Sequence, residues 1–349
     1  MTALSDDSPF EIGDALTVTA IVPVYNGATM LAHCLDPLLR MQRAGEIAEV
    51  IVVDDGSTDD SAACARSRGA QAIGSGGRLG PGGARNVGAR AATGSVLWFV
   101  DADVVVHDDA ARVLVDALRK TGASAVFGAY DDRPPAANFL SQYKNLVHRY
   151  YHVRHAGEAE TFWAGCGAVT KRAFVDAGGF DAAAYPSPSI EDIELGARLR
   201  RRGHAIRLEP ALAATHLKVW RLRRLLHTEI FSRALPWSRL IHSQAGAPDA
   251  LNVSGGERLR AFLALLFVAS LVLAAVHLVA PWIPFVILAA LFAANWPLFA
   301  FFRQSRGFVF AIAALLFHQL YYLYSTAAYI WTWLGLRWPP SRERRTPLP

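Results

Sequence analysis

Short, mostly apolar runs alternate with stretches of helical hydrophobic spacing along the first 130 residues. Runs of this kind are typical of strands buried on both faces of a sheet. The pattern predicts strands at 17–22, 49–53, 70–73, 95–100 and 124–129, and helices at 28–41, 61–68, 80–92 and 109–120. Such an alternation predicts an α/β fold with a mostly parallel, Rossmann-like sheet and flanking helices.

A different pattern begins near residue 259, where three long uncharged apolar runs follow one another at 261–280, 283–302 and 307–336. A helix of about 20 residues is about 30 Å long, which matches the hydrocarbon core of a bilayer. The last run ends in Tyr329, Trp331 and Trp333, and such residues favour the membrane interface. We therefore expect a transmembrane region of about three apolar segments.

The distribution of basic residues predicts the orientation of these segments. Arg258 and Arg260 precede the first run, and Arg303 and Arg306 follow the second. The rule that basic loops stay inside places the N-terminal domain in the cytoplasm, at the inner or plasma membrane. Three full crossings would place the basic tail outside, so either the tail violates the rule or the last segment does not cross fully.

A basic amphipathic stretch links the two regions. Its cations outnumber its one acid, Glu229, and apolar side chains are interleaved with them. The cations are Lys218, Arg221, Arg223, Arg224, Arg233 and Arg239. The pattern predicts either a helix in the interface of an anionic leaflet or a helix docked on the globular domain. The adjacent apolar runs argue against nucleic acid as the partner of this charge.

Composition agrees with this division. Of the 349 residues, 52% are hydrophobic and only 19% are charged, which excludes a disordered or acidic protein. Three scattered cysteines form no CxxC pair and favour a reducing compartment, and the acidic N-terminus is unlike a secretory signal. The chain thus divides into a globular domain (15–215), the basic segment (216–258), the apolar region (259–336) and a basic tail (337–349).

Candidate chemistry collects where the predicted strands end. Asp101 and Asp103 follow a strand at a spacing of two, so both carboxylates can face one ligand. Two hard oxygen ligands beside a diphosphate suit Mg²⁺ or Mn²⁺, although a helix-capping turn uses the same residue types. The glycine-rich segment 80–86 is similar to a phosphate cradle before a helix, and Arg85 within it either meets a diphosphate or is simply solvated.

These motifs, in this order, resemble glycosyltransferase family 2, whose members are inverting enzymes with the GT-A fold. The resemblance covers roughly residues 15–215. The residues that carry it are Val22-Pro23-Val24-Tyr25-Asn26, Val53-Asp54-Asp55-Gly56-Ser57, Ala84-Arg85-Asn86-Val87-Gly88, Val100-Asp101-Ala102-Asp103, Trp163-Ala164-Gly165-Cys166-Gly167, Gly179-Phe180-Asp181 and Glu191-Asp192-Ile193-Glu194-Leu195.

The resemblance implies roles for individual residues. It implies a nucleotide-sugar site formed by Pro23, Tyr25, Asn26, Asp55, Arg85 and Asp101, and an acceptor site formed by Trp163, Gly165, Cys166 and Glu191. Asp103 would bind the divalent metal, and Asp192 would be the general base. Some GT-A enzymes have a late histidine as a further metal ligand, a role that His216 could take, although a lone histidine is more often structural.

Inversion needs one carboxylate to accept the proton of the attacking hydroxyl, and metal handles the leaving group. Asp192 fits that need, but Ser189 to Asp192 also has the spacing of a capping box, and a base near a helix N-terminus should be ionised. For Cys166 the alternative is a position in a core strand.

We therefore expect a membrane-anchored inverting glycosyltransferase that moves a sugar from a nucleotide-sugar donor to a lipid-linked or envelope glycan acceptor. The alternatives are a processive polysaccharide synthase and a non-catalytic membrane scaffold with the same fold. Processive members carry a Gln-x-x-Arg-Trp motif, and the one Arg-Trp pair here, Arg337-Trp338, lacks the glutamine. The acidic residues Asp101, Asp103 and Asp192 argue against a scaffold.

Overall fold

The first half of the sheet is parallel, as its apolar strands predict. The computed structural model describes residues 16–243 and 255–335. Its first elements are β1 (Val18–Val24), α1 (Ala28–Arg43), β2 (Glu49–Asp54), α2 (Ser61–Ser67), β3 (Gln71–Gly74), α3 (Gly80–Ala91) and β4 (Val96–Val100). The strands lie side by side in the order β3-β2-β1-β4, all parallel. The predicted elements up to residue 100 are therefore present, within one or two residues at most ends.

The second half of the sheet is mixed. Its elements are β5 (Val104–Val106), α4 (Ala110–Thr121), β6 (Ala125–Tyr130), α5 (Phe139–Arg154), β7 (Gly157–Glu158), β8 (Cys166–Thr170), α6 (Lys171–Asp176), α7 (Glu191–Arg201) and β9 (Ile206–His216). Strand β8 inserts between β4 and β6 and is antiparallel to both, whereas β6 and β9 are parallel. The sheet thus continues β4-β8-β6-β9-β5, and β7 pairs with β9. A GT-A-like α/β sheet is confirmed, with antiparallel pairings that periodicity did not specify.

Helices cover both faces of the sheet. In β4, which is buried along its whole length, Trp98 packs into the core on the side of α1 and α4. Its neighbours Leu97 and Phe99 face the opposite core, which includes residues of α3, α6 and α7. Because successive side chains of a strand point to opposite faces, one apolar strand contributes to two cores.

The C-terminal part is entirely helical where it is described. It comprises α8 (Leu222–His227), a π-helix (Thr228–Ala234), α9 (Leu235–Ser243), α10 (Gly255–Ala275), α11 (Ile283–Ala294) and α12 (Trp296–Trp333). Two of these, α10 and α12, are long and apolar enough to cross a membrane. The predicted run 283–302 is not one helix, because it is interrupted at Asn295, and the 12 residues of α11 reach only about 18 Å. The predicted tail 337–349, residues 244–254 and residue 15 lie outside the described residues.

Helix α12 folds back on itself at Gly307. The Tyr322 hydroxyl lies 3.0 Å from Asn295 Oδ1, although the two residues are 27 positions apart. In a straight helix that separation would be about 40 Å. Gly307 has φ 83° and ψ 176°, a conformation essentially restricted to glycine. The helix therefore consists of two arms, 296–306 and 308–333.

Helix α5 joins the sheet domain to these arms. Tyr143, Leu146 and Tyr150 of α5 share one apolar cluster with Phe302 and Leu315 of the two arms. The Arg306 guanidinium donates to Gln142 Oε1 at 2.8 Å, and the Tyr143 hydroxyl lies 2.7 Å from His318 Nδ1. The arms of α12 are thus fastened to the globular domain as well as to each other.

The basic segment after β9 also packs on its own chain. Trp220 is buried and its backbone N–H donates to Ser141 Oγ at 2.8 Å, and Leu225 is buried as well. Leu222 and Phe231 remain exposed on the outer side. Of the two alternatives for this segment, the structure shows docking on the globular domain, with an apolar and basic face still directed outward.

We expect Gly307→Ala to destabilise the protein through its backbone alone. A Cβ atom at this position would meet nothing within 4 Å, but alanine is strained at this positive φ by about 1–3 kcal/mol. The melting temperature of the purified chain in detergent should fall by a few degrees. Gly256→Ala, at a glycine without positive φ in the first turn of α10, is the matched control, and an unchanged melting temperature for Gly307→Ala would contradict the fold-back.

Candidate active site

A continuous cavity of about 2120 Å³ begins above the carboxyl ends of β1, β2 and β4 and extends to α10 and α12. Its upper end is lined by Pro23, Tyr25, Asn26 and Asp55, and its middle by acidic residues. The middle residues are Asp101, Asp103, Glu191 and Asp192. The structure thus brings together the side chains that follow separate strands, as parallel strand ends require.

Asp55 organises the upper end. Its carboxylate accepts the backbone N–H groups of Leu79 at 2.8 Å and Gly80 at 2.9 Å, so it fixes the turn that starts α3. Asn26, at a positive φ of 50°, accepts the N–H of Thr58 at 2.8 Å. The Arg78 guanidinium lies 3.6 Å from the centre of the Tyr25 ring. Asp55 and Asn26 thus fix the backbone at the upper end of the cavity. The stacked side chains of Arg78 and Tyr25 form a rim that suits a flat polar ring.

Arg85 lies at the centre of the site and is buried, with 4% of its surface exposed. It donates to Asp101 Oδ1 at 2.6 Å and to Glu191 Oε1 at 3.0 Å. Burial alone would lower the pKa of Arg85, but the charges of Asp101 and Glu191 outweigh it and raise the pKa above its ordinary value. Arg85 is therefore not a solvated arginine: it binds two carboxylates from distant parts of the chain.

Asp103 and His216 form the part of the site that can hold a metal. His216 Nε2 lies 3.6 Å from Asp103 Oδ2, and its ring stacks on Tyr130 at 4.4 Å. Burial pushes the pKa of Asp103 upward, but the neighbouring His216 outweighs burial and holds this pKa below its ordinary value, so the carboxylate is ionised. An ionised carboxylate beside an imidazole suits Mn²⁺ or Mg²⁺.

The chain supplies only part of a coordination shell. Within residues 16–243 and 255–335, no group of three or more His, Cys, Asp or Glu side chains is arranged to hold a metal ion. Burial raises the pKa of Asp101, and that carboxylate is already bound to Arg85. A divalent ion held by Asp103 and His216 would need further ligands, such as the oxygens of a diphosphate and water.

Asp192 lies in the first turn of α7, facing the cavity. Its Oδ2 accepts the N–H of Ala164 at 3.1 Å, which ties it to the segment before β8. Burial, followed by the charge of Glu191, raises the pKa of Asp192 to about 7. A carboxylate that titrates near neutral pH is matched to accepting a proton during a reaction. The position of Asp192 near a helix N-terminus predicted a fully ionised carboxylate. Burial outweighs that effect and raises the pKa instead.

The capping-box alternative for Asp192 does not agree with the structure. The Ser189 hydroxyl donates to the carbonyl of Ser232 at 2.9 Å and does not cap α7. The residue that precedes the helix is Ile190, with no side-chain cap. Glu191, not Asp192, accepts the N–H of Ser189, at 2.9 Å.

The segment before β8 forms one wall of the cavity, but not with every predicted residue. Trp163 lines it, with ring contacts to Tyr130 at 4.8 Å and His148 at 4.6 Å. Gly165 supports the tryptophan, because a Cβ there would lie 2.6 Å from the indole. Cys166 is fully buried in the core and does not reach the cavity, so its assignment to the acceptor site is corrected to the core-strand alternative.

Several residues at the lower end of the cavity were not predicted as site residues, although Lys218, Glu229 and Arg233 belong to the predicted basic segment. Lys144 of α5 forms a salt bridge with Glu229 of the π-helix at 2.8 Å, and Glu229 also pairs with Arg233 at 2.8 Å. Lys218 lies 4.5 Å from the Trp220 ring. The signal that could have identified α5 is its aromatic and histidine side chains at helical spacing, in Tyr143, His148, Tyr151 and His152.

Comparison with known proteins agrees with this geometry. Residues 19–179 match the family model for glycosyl transferase family 2. The glycosyltransferase GlyG of Streptococcus pneumoniae is 28% identical over 118 residues, which is 32% of this chain and 38% of GlyG. The succinoglycan biosynthesis protein ExoO of Rhizobium meliloti is 32% identical over 119 residues, 33% of this chain and 34% of ExoO. The chain thus spans less than half the length of the curated relatives it matches.

A solved structure extends the similarity over nearly the whole chain. The mannosyltransferase PcManGT from Pyrobaculum calidifontis, in complex with GDP-Man and Mn²⁺, superposes with a TM-score of 0.60. It is 21% identical, and the superposition covers 92% of this chain and 88% of PcManGT. At that identity the likeness concerns the fold. Together, the family match and the curated relatives show that residues 19–179 are a family 2 glycosyltransferase domain, and the superposition shows a shared, GT-A-like fold.

Proposed function

We propose that the protein is a membrane-anchored inverting glycosyltransferase that transfers a sugar from a nucleotide-sugar donor to a lipid-linked or glycan acceptor. The observation that carries this proposal is the single cavity that connects the acidic strand ends with α10 and α12. A polar ligand can bind at its upper end and an apolar one between the helices. The catalytic domain then lies on the cytoplasmic side, where nucleotide sugars are made.

The donor would occupy the upper and middle parts of the cavity. Pro23, Tyr25, Asn26 and Asp55 surround the position for the nucleoside, and Asp101 is held by Arg85 beside them. Asp103 and His216 would hold a divalent ion, which supplies positive charge against the leaving diphosphate. PcManGT, which shares the fold, was solved with GDP-Man and Mn²⁺, in agreement with a donor and metal of these classes.

Asp192 would act on the acceptor. Inversion requires the acceptor hydroxyl to attack the anomeric carbon from the side opposite the leaving group, and its proton must be accepted. The carboxylate of Asp192 faces the cavity beside Trp163, whose ring can stack on a sugar. The N–H of Ala164 orients Oδ2 and the N–H of Ile193, at 2.9 Å, orients Oδ1, and each oxygen keeps a further lone pair for the acceptor hydroxyl.

The direct test of this function is a screen of the purified full chain for hydrolysis and transfer with UDP-, GDP- and dTDP-sugars in the presence of Mn²⁺. We expect slow hydrolysis of one donor class, and faster turnover when a membrane extract is added as the source of acceptor. If no nucleotide sugar binds or is cleaved, the proposal fails.

We expect Asp103→Asn to weaken metal binding and to reduce sugar transfer by at least about tenfold, because the neutral amide is a poorer ligand than the carboxylate. Mn²⁺ binding, measured by electron paramagnetic resonance, and turnover should decline together. Asp108→Asn is the control, since Asp108 is an exposed acid five positions along that pairs with Arg40. Normal Mn²⁺ binding by Asp103→Asn would contradict the assignment of Asp103 as a metal ligand.

We expect Asp192→Asn to lower turnover by about 10²–10⁴ while donor binding persists, because the amide cannot accept the proton. The pKa of Asp192, raised by burial to about 7, means that the base is protonated in acid. Wild-type turnover should therefore increase with pH up to about 7 and then level off. Glu194→Gln, in the same turn of α7 but outside the cavity lining, should keep both turnover and pH profile. A variant with near-normal turnover and lost thermal stability would assign Asp192 a structural role.

A further inference from the structure

The lower end of the cavity carries an excess of positive charge. Between the catalytic carboxylates and the apolar helices, four cations line it with one acid, Glu229, that pairs with two of them, and Arg258 and Glu257 line it further down at the start of α10. The cations are Lys144, Lys218, Arg224 and Arg233. We call this part of the cavity the basic chamber.

The acid of the basic chamber has no capacity left for the remaining cations. Glu229 pairs with Lys144 at 2.8 Å and with Arg233 at 2.8 Å, and it also accepts the Tyr324 hydroxyl at 3.2 Å. Lys218 and Arg224 form no salt bridge with any residue of the described ranges. Lys218 rests instead on the Trp220 ring.

Such an excess is costly close to an apolar region. Burial lowers the pKa of Lys144 to about 8, despite the pull of Glu229. Cations that converge on one space are stabilised by an anion that forms charge-assisted hydrogen bonds with them, and Arg224 and Arg233 are exposed where they line the cavity. The chamber is therefore arranged to receive a negatively charged group.

The surroundings indicate what carries this group. Phe262 and Leu265 of α10 line the cavity below the chamber and are exposed, and Trp237 and Ile241 of α9 line it opposite. Above the chamber, Arg233 lies close enough to Asp192 for their charges to attract each other. A ligand that fills this space has an apolar chain at one end and a hydroxyl near Asp192 at the other, with its negative charge between them.

We infer that the acceptor is a lipid with a phosphate in its head group, and that Lys218, Arg224 and Arg233 bind this phosphate while the apolar chain lies between α9, α10 and α12. This inference rests on the proposed function for the identity of the ligand as an acceptor. Phosphate fits better than carboxylate because several cations converge, and phosphate offers more acceptor oxygens and up to two charges.

The test measures binding of dodecyl phosphate to the purified full chain in a neutral detergent, with Mn²⁺ and saturating UDP or GDP present so that the donor diphosphate site is filled. We expect dodecyl phosphate to bind at least about tenfold more tightly than dodecanol or inorganic phosphate. The double variant Lys218→Gln/Arg224→Gln should lose about tenfold or more of this affinity.

Arg223→Gln is the matched control, because Arg223 neighbours Arg224 on α8 and does not line the cavity. Its affinity should equal that of the wild type, and thermal melts should establish that all variants are folded. Equal affinity for dodecyl phosphate and dodecanol, or an unaffected double variant, would overturn the phosphate site. Equal affinity for inorganic phosphate and dodecyl phosphate would mean that the apolar chain adds nothing to binding, and would overturn the inference that the ligand is a lipid.

The two proposals fail separately in these experiments. Donor cleavage without selective dodecyl phosphate binding would leave the glycosyltransferase proposal standing and remove the phosphate-bearing acceptor. Selective binding of dodecyl phosphate without any donor cleavage would leave the phosphate site standing and remove the glycosyltransferase proposal.

Discussion

The paired contacts of Arg85 are the constraint on which the site depends. A buried guanidinium requires carboxylate partners, and here they come from the end of β4 and from the start of α7, 16 and 106 positions away along the chain. Through their bonds to Arg85, Asp101 and Glu191 fix the distance between the turn after β4, which carries Asp103, and the helix that carries Asp192. Removal of Arg85 would leave two neighbouring carboxylates without their counter-charge, so this one side chain holds the two sides of the cavity in one geometry.

Helix α5 has a comparable role between the domain and its apolar helices. The hydroxyls of Tyr151 and Tyr322 both donate to Glu257 Oε2, at 3.0 and 2.9 Å, so α5, α10 and α12 meet at one carboxylate. The same helix presents Lys144 to the cavity. Because one rigid element contacts both the apolar helices and the cavity wall, the cavity is part of the junction and not a separate feature of the sheet domain.

The sequence predicted most of what depends on local pattern. The strands β1 to β4, their helices and the clustering of Asp55, Asp101 and Asp103 followed from apolar runs and polar strand ends, because both signals are short-range. The antiparallel insertion of β8, the burial of Arg85 and the fold-back at Gly307 did not, because they depend on contacts between distant segments. Cys166 was wrongly assigned to the acceptor site for the same reason. In a strand that is buried on both faces, the sequence does not indicate whether a cysteine faces the core or the cavity.

The length of the cavity has a consequence for the order of events in the protein. Its two ends differ in polarity, one beside the exposed loop after β1 and the other between apolar helices, so under the proposed function two ligands of opposite character would approach from opposite ends. Neither ligand then has to leave before the other can approach. A soluble product and an apolar product would depart in different directions. Either product could therefore inhibit the protein without blocking the exit path of the other.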